Sequence, residues 1–370
     1  MGMAAIFHYA IPINILHSAL PLNPRIQAKA ILVVGPSWVG DMVMAQSLFK
    51  VLKQKHPQAD IDVLAPGWSL PLLARMPEVR DGLEMPLGHG RLELKQRWRL
   101  GRSLKGRYDQ AILLPNSWKS AIVPWAAAIP RRTGWKGEMR YGLLNDIRHL
   151  DKSLLTMTVQ RFVALAEDGP VAAAPEIPPP ALVVRDGDVQ AALEALGLAR
   201  PTQGKLLALC PGAEYGEAKR WPEAAYGRLA WEHLARGGQV WLFGSDKDRA
   251  VCDNIARMAG DACVNLAGRT SLAQAVDLLS LADAVVSNDS GLMHVAAALD
   301  RPLVAIYGSS DPGFTPPLNR RHEIVSLGLE CSPCFKRECP LGHLRCLTDI
   351  GVETVQDALG RVSQSNEGSS

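Results

Sequence analysis

Short apolar runs alternate with stretches of helical spacing along most of the chain. Residues 30–35 (AILVVG) are apolar, rich in β-branched side chains and followed by proline, a pattern typical of a buried parallel strand. From residue 40 onward apolar positions recur at helical spacing, and lysines gather at the end of that stretch, where the helix dipole favours them. Further strands are predicted at 61–65 and 108–115. Strands that alternate with helices predict a parallel, doubly wound sheet.

A second set of strands and helices follows a stretch rich in alanine and proline. The predicted strands are 205–210, 239–243, 284–287 and 303–307, and the predicted helices are 222–236, 246–259, 271–281 and 291–299. We therefore expect two open α/β sheets that face each other across a cleft. Ligands of such sheets bind beyond the carboxyl ends of the strands, so a site is expected between the two sheets.

The chain of 370 residues is long enough for two domains of common size. Its first part is expected to be a disordered extension, because prolines and histidines interrupt the apolar stretch and no basic start typical of a secretory signal is present. The expected parts are an extension at 1–28, a first domain at 29–167, a linker at 168–182, a second domain at 183–350, and a C-terminal helix and tail at 351–370.

Composition narrows the class of protein. Hydrophobic residues make up 47% and charged residues 21% of the chain, which is typical of a globular protein. The net charge of +3 is too small to favour a nucleic-acid partner. The sequence has no uninterrupted apolar run of about 18 residues, so no segment is predicted to span a membrane. Seven cysteines in a chain of this length do not indicate a secreted disulfide framework, and we expect a cytoplasmic protein.

Two motifs at equivalent places in the two halves carry candidate chemistry. Asp41 follows a strand and a glycine turn and opens a helix, so it could cap that helix or act as a general base in the cleft. Asp289, Ser290 and Gly291 likewise follow a strand and open a helix. The free amides there could bind a donor diphosphate, with simple capping as the alternative. His294, one turn further on, favours the binding role.

Another strand-end segment adds positive charge. Gly212 follows the first strand of the second half, and Lys219 and Arg220 come shortly after it. On a loop over the cleft these cations could neutralise a leaving diphosphate, although a solvated surface pair is the alternative.

The loop after the predicted strand at 239–243 is polar. It could hydrogen-bond a ribose or base through Ser245, Asp246 and Lys247, although turn chemistry alone would also explain these residues. A Walker phosphate loop, a dinucleotide fingerprint and a hydrolase nucleophile elbow are all missing from the sequence. Those absences disfavour an ATPase, a dehydrogenase and an esterase.

Taken together, seven strings between about residues 31 and 317 resemble glycosyltransferase family nine, the ADP-heptose:lipopolysaccharide heptosyltransferases. They are GPSWVGD (35–41), MPLGHG (85–90), LPNS (114–117), RRTGWKGEMRYGLLND (131–146), CPGAEYGEAKRWP (210–222), FGSDKD (243–248) and NDSGLMHVAAAL (288–299).

The resemblance implies a GT-B fold, in which an acceptor-binding domain precedes an ADP-sugar-binding domain. It also implies an inverting transfer of L-glycero-D-manno-heptose from ADP-heptose to the first heptose on Kdo–lipid A, without a metal or other cofactor. Asp41 matches the family's general base and Lys219 the cation near the donor phosphates. The implied donor-binding residues are Gly212, Arg220, Ser245, Asp246, Lys247, Asp289, Ser290, Gly291 and His294. The implied acceptor-binding residues are Ser37, Trp38, Asn116 and Arg140.

Other functions remain open at this point. Within the family, the string TGWKGEMRYGLLND (133–146) favours an enzyme that adds the second heptose over one that adds the first. A GT-B sugar-nucleotide epimerase would share the fold but need no glycolipid acceptor. A non-catalytic ADP-sugar-binding protein would tolerate replacement of Asp41.

Two basic runs lie in the first half. They contain Arg91, Lys95, Arg97, Arg99, Arg102, Lys105 and Arg107, and then Arg131, Arg132, Lys136, Arg140 and Arg148. They could attract a phosphorylated glycolipid acceptor or the inner face of the inner membrane, with solvated helix faces as the alternative.

A cysteine cluster lies outside the family strings. Cys331, Cys334, Cys339 and Cys346 have spacing that resembles a zinc ligand set, with His343 between them. A structural zinc is one interpretation, and reduced thiols or a disulfide are the alternative. Catalysis is expected to need no metal.

Overall fold

The structure, a computed structural model, describes residues 28–86, 92–202 and 204–364. Each half of this part of the chain forms one parallel sheet of six strands, which confirms the α/β class. The first sheet contains β1 (Ala30–Val34), β2 (Asp60–Ala65), β3 (Asp81–Glu84), β4 (Gln110–Leu113), β5 (Arg131–Trp135) and β6 (Asp146–Arg148). The second contains β7 (Leu206–Cys210), β8 (Gln239–Leu242), β9 (Cys263–Asn265), β10 (Ala284–Asn288), β11 (Leu303–Ile306) and β12 (His322–Val325). Some predicted features lie wholly or largely outside the described residues: the extension at 1–28, the string at 85–90, Arg91 and the C-terminal tail.

Helices connect the strands in both halves. In the first half they are α1 (Val39–Lys55), α2 (Leu70–Leu73), α3 (Leu94–Ser103), α4 (Ile122–Ala126) and α5 (Thr158–Val163). In the second half they are α6 (Asp186–Leu196), α7 (Glu223–Ala235), α8 (Arg249–Ala259), α9 (Leu272–Leu279), α10 (Gly291–Ala298), α11 (Arg345–Thr348) and α12 (Val352–Gln364). Among the described residues we find no helix that is long and apolar enough to cross a bilayer.

The two sheets share one topology. Their strand orders are β3-β2-β1-β4-β5-β6 and β12-β11-β10-β7-β8-β9. In the first sheet Leu32 of β1 pairs with Asp62 of β2 and with Ala111 of β4. The strand order therefore reverses between β1 and β4, and in the second sheet between β7 and β10. Crevices form at the carboxyl ends of strands at such switch points.

The apolar pattern predicts seven of the eight inner strands but misses five strands: β3, β5, β6, β9 and β12. Four of these are edge strands. An edge strand has one neighbour and more contact with water, so it carries polar residues, as in Asp81–Glu84 (DGLE). The fifth, β5, begins with two arginines. The inner strands β4, β7, β10 and β11 are buried along their whole length, and each contains at least three consecutive apolar residues.

The two halves pack together through α1 and α10, whose apolar side chains belong to one continuous buried cluster. The expected linker lies against α1. Lys50 donates to the carbonyl oxygen of Pro179 at 2.6 Å, and the amide group of Gln46 both donates to and accepts from the backbone of Ala181. Residues 167–185, all described, contain neither helix nor strand. The segment predicted as the linker is therefore tied by hydrogen bonds to the first half, and through the N–H of Leu182 and the carbonyl oxygen of Ala298 also to the second.

A buried ion pair also joins the halves. Arg75, just after α2, donates to the carboxylate of Asp277 in α9 at 2.6 Å, and both side chains are almost fully buried. Arg75 also lies 3.6 Å from the half-exposed carboxylate of Asp188. Taking two charges out of water is costly, so removal of one partner leaves the other buried without compensation.

We expect Arg75→Ala to lower the free energy of unfolding by about 3–5 kcal/mol, because Asp277 then keeps a buried charge without its main cation. Urea denaturation at neutral pH measures the change. The matched control replaces both partners, Arg75→Met with Asp277→Leu, and should recover most of the loss. A decrease below about 1 kcal/mol for the single variant, as for an exposed pair, would contradict this account.

Candidate active site between the two sheets

The first of two cavities lies beyond the carboxyl ends of the first sheet. Its volume is about 880 Å³, and residues just after β1, β2 and β4 line it, among them Gly35, Pro66 and Pro115. This is the switch point of the first sheet, where a ligand is expected. We call it the first-sheet cavity.

The other cavity lies beyond the carboxyl ends of the second sheet. Its volume is about 560 Å³, and its lining includes Gly212 after β7, Ser245 after β8 and Gly291 at the start of α10. We call it the second-sheet cavity. The two cavities share the lining residues Ser37, Trp38, Trp68 and Glu214. The cavities therefore meet, as a site for two substrates requires.

Asp41 lies in the first turn of α1. That helix begins at Val39, earlier than the expected start after Gly40, and its N-cap residue is Trp38. The alternative in which Asp41 is the helix cap is therefore wrong. A carboxylate in the first turn is still favoured by the positive end of the helix dipole.

Two glycines let the starts of α1 and α10 come together. A Cβ atom on Gly40 would lie 2.5 Å from Cδ2 of His294, and one on Gly291 would lie 2.7 Å from Cβ of Val39. Carbon atoms in van der Waals contact are about 3.5–4.0 Å apart, so any side chain at either position would force the helix starts apart. The Gly-Asp turn of the first half and the Ser-Gly turn of the second are therefore direct neighbours.

Asp289 is the centre of a buried polar cluster beside this contact. Its Oδ2 atom accepts a hydrogen bond from the ammonium group of Lys219, and it accepts another from the hydroxyl of Ser310 at 2.5 Å. The ammonium group of Lys219 also lies 5.1 Å from the ring centre of Tyr215. Sequence reasoning missed Ser310, although the loop after β11 is a strand-end loop like the others and could have been searched for the same reason.

The charged groups of this cluster affect the pKa of the Asp41 carboxyl. Burial raises its pKa from 3.8 to about 6, Lys219 opposes the rise, and the carboxylate of Asp289 adds to it. A carboxyl with a pKa near 6 is ionised at neutral pH and holds a proton more strongly than an ordinary aspartate. That combination suits a general base.

His294 is neutral at physiological pH. It is 5% exposed, and burial lowers its pKa to about 4, a shift that the nearby Asp289 opposes. Its Nδ1 atom has no hydrogen-bond partner in the described part of the chain. The ring therefore fills the space under Gly40 and offers no positive charge to a diphosphate.

A later segment of the chain supports the loop that carries Lys219. The backbone N–H of Ala218 donates to the carbonyl oxygen of Arg337 at 3.0 Å. The hydroxyl of Tyr215 donates to the carbonyl oxygen of Phe335 at 2.7 Å, and the N–H of Phe335 donates to Ser309 at 2.7 Å. Residues 335–337 thus tie the Lys219 loop to the loop that carries Ser310. No local motif in the sequence signals this long-range support.

Asn288 joins the two inner strands at the switch point of the second sheet. It is fully buried, donates to the carbonyl oxygen of Pro211 at 2.6 Å, and accepts from the N–H of Trp221 and the hydroxyl of Tyr226, both at 3.1 Å. Asn288 belongs to the motif found in the sequence, but no role was predicted for it. Its contacts hold the loop after β7 against β10.

Part of the predicted donor-binding set lies at one cavity. Gly212, Ser245, Ser290 and Gly291 all line the second-sheet cavity. At Gly212 there is no room for a side chain, because a Cβ would lie 2.5 Å from the carboxyl carbon of Asp248. These four predicted donor residues therefore lie around one cavity.

Three other predicted donor residues point elsewhere. Asp246 is exposed and pairs with Arg249 at 2.9 Å, and Lys247 is exposed and pairs with Glu214. Arg220 donates to the carbonyl oxygen of Ala213 at 3.2 Å and lies 3.6 Å from the Asp248 carboxylate. Their side chains form ion pairs or hydrogen bonds with nearby residues and do not line the second-sheet cavity.

Only two of the four predicted acceptor residues line the cavities. Ser37 and Trp38 line both cavities, whereas Asn116 is exposed and its side chain does not line them. Arg140 is 1% exposed and donates to the carbonyl oxygens of Pro115 and Trp135. The expected position of Arg140 at a binding surface is therefore wrong. Its guanidinium instead holds the loop after β4, which lines the first-sheet cavity.

The two basic runs differ in structure. Asp146 binds Arg131 at 3.0 Å and Arg148 at 2.6 Å, and the guanidinium of Arg132 donates to backbone carbonyl oxygens. Two arginines of the second run are therefore paired with carboxylates and two donate to backbone carbonyl oxygens, so most of this run is bound within the fold. That arrangement does not favour the predicted attraction of an anionic acceptor by this run. In the first run, Lys95, Arg99 and Arg102 of α3 are exposed.

The four cysteines of the predicted zinc set are free thiols. Across the described ranges no group of three or more histidine, cysteine, aspartate or glutamate side chains is arranged to hold a metal ion, so the structure does not support that site. Backbone N–H groups of Leu344, Leu341, His343 and Gly342 hold the pKa of the Cys339 thiol below its ordinary value. That sulfur therefore faces backbone amides.

The raised pKa of Asp41 predicts a pH-dependent stability. Between about pH 4 and 6 the unfolded carboxyl is ionised while the folded one stays protonated, so stability falls as the pH rises and remains lower above 6. Asp41→Asn removes this titration. Above pH 6 we expect the variant to be more stable than the parent protein by about 3 kcal/mol, at roughly 1.4 kcal/mol per pH unit, and the difference should vanish near pH 4. Urea denaturation across this range is the test, and parallel curves for the two proteins would refute the raised pKa.

Comparison with known proteins agrees with this geometry. The model of glycosyltransferase family 9 (heptosyltransferase) matches residues 97–345, which is more than half of the chain. Lipopolysaccharide heptosyltransferase 2 of Salmonella typhimurium is 50% identical over 337 residues, covering 89% of this chain and 97% of that protein. The Escherichia coli protein of the same name is 48% identical, covering 91% and 99%.

Solved structures give the same result. The structure of Escherichia coli ADP-heptose LPS heptosyltransferase II superposes with a TM-score of 0.81 at 45% identity, covering 92% of this chain and 100% of that one. The GT-B fold expected from the resemblance is thereby confirmed. The chain belongs to glycosyltransferase family 9, the heptosyltransferases, and is a glycosyltransferase.

Proposed function

We propose that this protein transfers L-glycero-D-manno-heptose from ADP-heptose to the first heptose of the lipopolysaccharide inner core. The observation that carries the proposal is the approach of Asp41 to the Lys219–Asp289 pair beside two connected cavities. Relatives about half identical to the chain are named lipopolysaccharide heptosyltransferase 2. The name of the matching Escherichia coli structure adds ADP-heptose.

The donor is proposed to lie in the second-sheet cavity with its diphosphate at the start of α10. Ser290 is the N-cap residue of α10, and among the described residues its side chain makes no capping hydrogen bond. The first amides of the helix can therefore face an anion. The ammonium group of Lys219, which Asp289 holds in place, lies close by. These groups stabilise the negative charge that develops on the diphosphate as the sugar–phosphate bond breaks.

The acceptor sugar is proposed to enter through the first-sheet cavity. Asp41 takes the proton from the attacking hydroxyl while that oxygen bonds to the anomeric carbon of the donor heptose. ADP leaves from the opposite face, so the configuration at this carbon is inverted in one displacement. The pKa of Asp41 near 6 places its carboxylate form at neutral pH, where it can accept the proton.

The same proposal covers cofactor, partners and location. Amides at a helix start and one lysine supply the electrostatic stabilisation, so we propose that transfer needs no metal or other cofactor. The partners are ADP-heptose and a phosphorylated glycolipid, heptosyl-Kdo–lipid A. Because that acceptor is a lipid, we place the enzyme in the cytoplasm, at the inner face of the inner membrane.

A transfer assay with ADP-heptose tests the proposal. Two water-soluble, deacylated acceptors are compared, one that carries the first heptose and one that lacks it, and we expect product only from the first. Asp41→Asn should lower transfer by at least about 100-fold, the usual contribution of a general base, and leave ADP-heptose binding by calorimetry nearly unchanged.

Product from the acceptor without heptose would reassign the chain to transfer of the first heptose. Transfer by Asp41→Asn at a rate close to that of the parent protein would remove Asp41 from its role as the base.

A further inference from the structure

One surface of the first half exposes a cluster of tryptophans. Trp98 of α3 and Trp125 of α4 are 45% and 42% exposed, and their ring centres lie 5.3 Å apart. Together with Trp118, Leu94 and Ile122 they line a groove of about 510 Å³, which we call the tryptophan groove. Large apolar side chains grouped at a surface mark an interaction site.

The helix beside this groove is strongly basic. Residues 94–107 contain six basic residues and no acidic one: Lys95, Arg97, Arg99, Arg102, Lys105 and Arg107. All of these except the buried Arg97 are exposed, and Lys95 and Arg99 line the groove itself. Glu138 lies nearby and accepts the backbone N–H of Trp118 at 2.9 Å.

Apolar rings bordered by cations fit a partner that is apolar inside and anionic at its surface. An anionic lipid bilayer has this arrangement, because tryptophan rings favour the headgroup region and basic residues near the surface are attracted to anionic headgroups. A protein partner would need acidic side chains opposite so many cations. The charge pattern therefore favours the bilayer.

The groove also lies next to the first-sheet cavity. Arg97 lines the cavity and Trp98 the groove, and in the turn before α4 Lys119 lines the cavity and Trp118 the groove. The groove and the cavity are thus separated by α3 and by the turn before α4, whose adjacent residues line one or the other. A lipid-linked sugar in the cavity would have its membrane anchor close to the groove.

We infer that the tryptophan groove and the exposed cations of α3 form the surface with which this enzyme binds an anionic bilayer. On that surface the mouth of the first-sheet cavity lies close to a membrane-bound acceptor. The identity of that acceptor rests on the proposed function, but bilayer binding is independent of transfer and can be measured alone.

Co-sedimentation with vesicles tests the inference. We expect the full chain to bind vesicles of phosphatidylglycerol with phosphatidylethanolamine and not vesicles of phosphatidylcholine. Trp98→Ala with Trp125→Ala should weaken binding about tenfold, because two exposed apolar rings no longer enter the interface. Lys95→Glu with Arg99→Glu should weaken it at least about tenfold and remove most of its salt dependence. The matched control is Trp231→Ala on α7, a tryptophan 57% exposed in the other half, which should bind like the parent protein.

A second readout separates this inference from the proposed function. Transfer to a deacylated acceptor should be unchanged in both double variants, whereas transfer to acceptor embedded in anionic vesicles should fall. Vesicle binding equal to that of the parent protein in both double variants would overturn the inference even if the enzyme is an active heptosyltransferase. An equal loss with the deacylated acceptor would also overturn it, because the groove would then act on the acceptor sugar. If the double variants lose vesicle binding but the parent protein transfers heptose to neither acceptor, only the proposed function is refuted.

Discussion

The contact between Gly40 and His294 is the constraint on which the active site depends. Each sheet places a polar turn at its own carboxyl edge, but neither turn holds both a base and a group that stabilises a leaving diphosphate. The starts of α1 and α10 touch because Gly40 in the first and Gly291 in the second carry no side chain. This approach brings Asp41 within electrostatic range of Lys219 and Asp289.

The same contact explains the electrostatics of the site. Asp41 follows Gly40 at this contact, and burial is the main cause of its raised pKa. Asp289 binds Lys219 and so orients the ammonium group, while the hydroxyl of Ser310 and the segment around Arg337 hold the surrounding loops. Ionised Asp41 costs folding stability at neutral pH, as is common where a group must react.

Sequence patterns predicted the inner strands except β5, and the turns that follow them, because a buried parallel strand is mostly apolar and ligands bind at its carboxyl end. Edge strands were missed, since they carry polar residues. The burial of Arg140 and the contact of Ser310 with Asp289 depend on residues far apart in sequence or on loop conformation, which a local pattern does not encode. The cysteine spacing resembled a metal site, but spacing alone does not determine where the sulfur atoms point.

The most direct test of the central contact is the transfer rate of Gly40→Ala, compared with Gly360→Ala. Gly360 lies in α12 with no atom within 4 Å of an added Cβ, so its variant should fold and transfer like the parent protein. Gly40→Ala should retain the fold, judged by circular dichroism and urea denaturation. It should lose about 100-fold in transfer rate, because displacement of reacting groups by about 1 Å has effects of this size. Transfer by folded Gly40→Ala at the rate of the Gly360→Ala control would contradict the account.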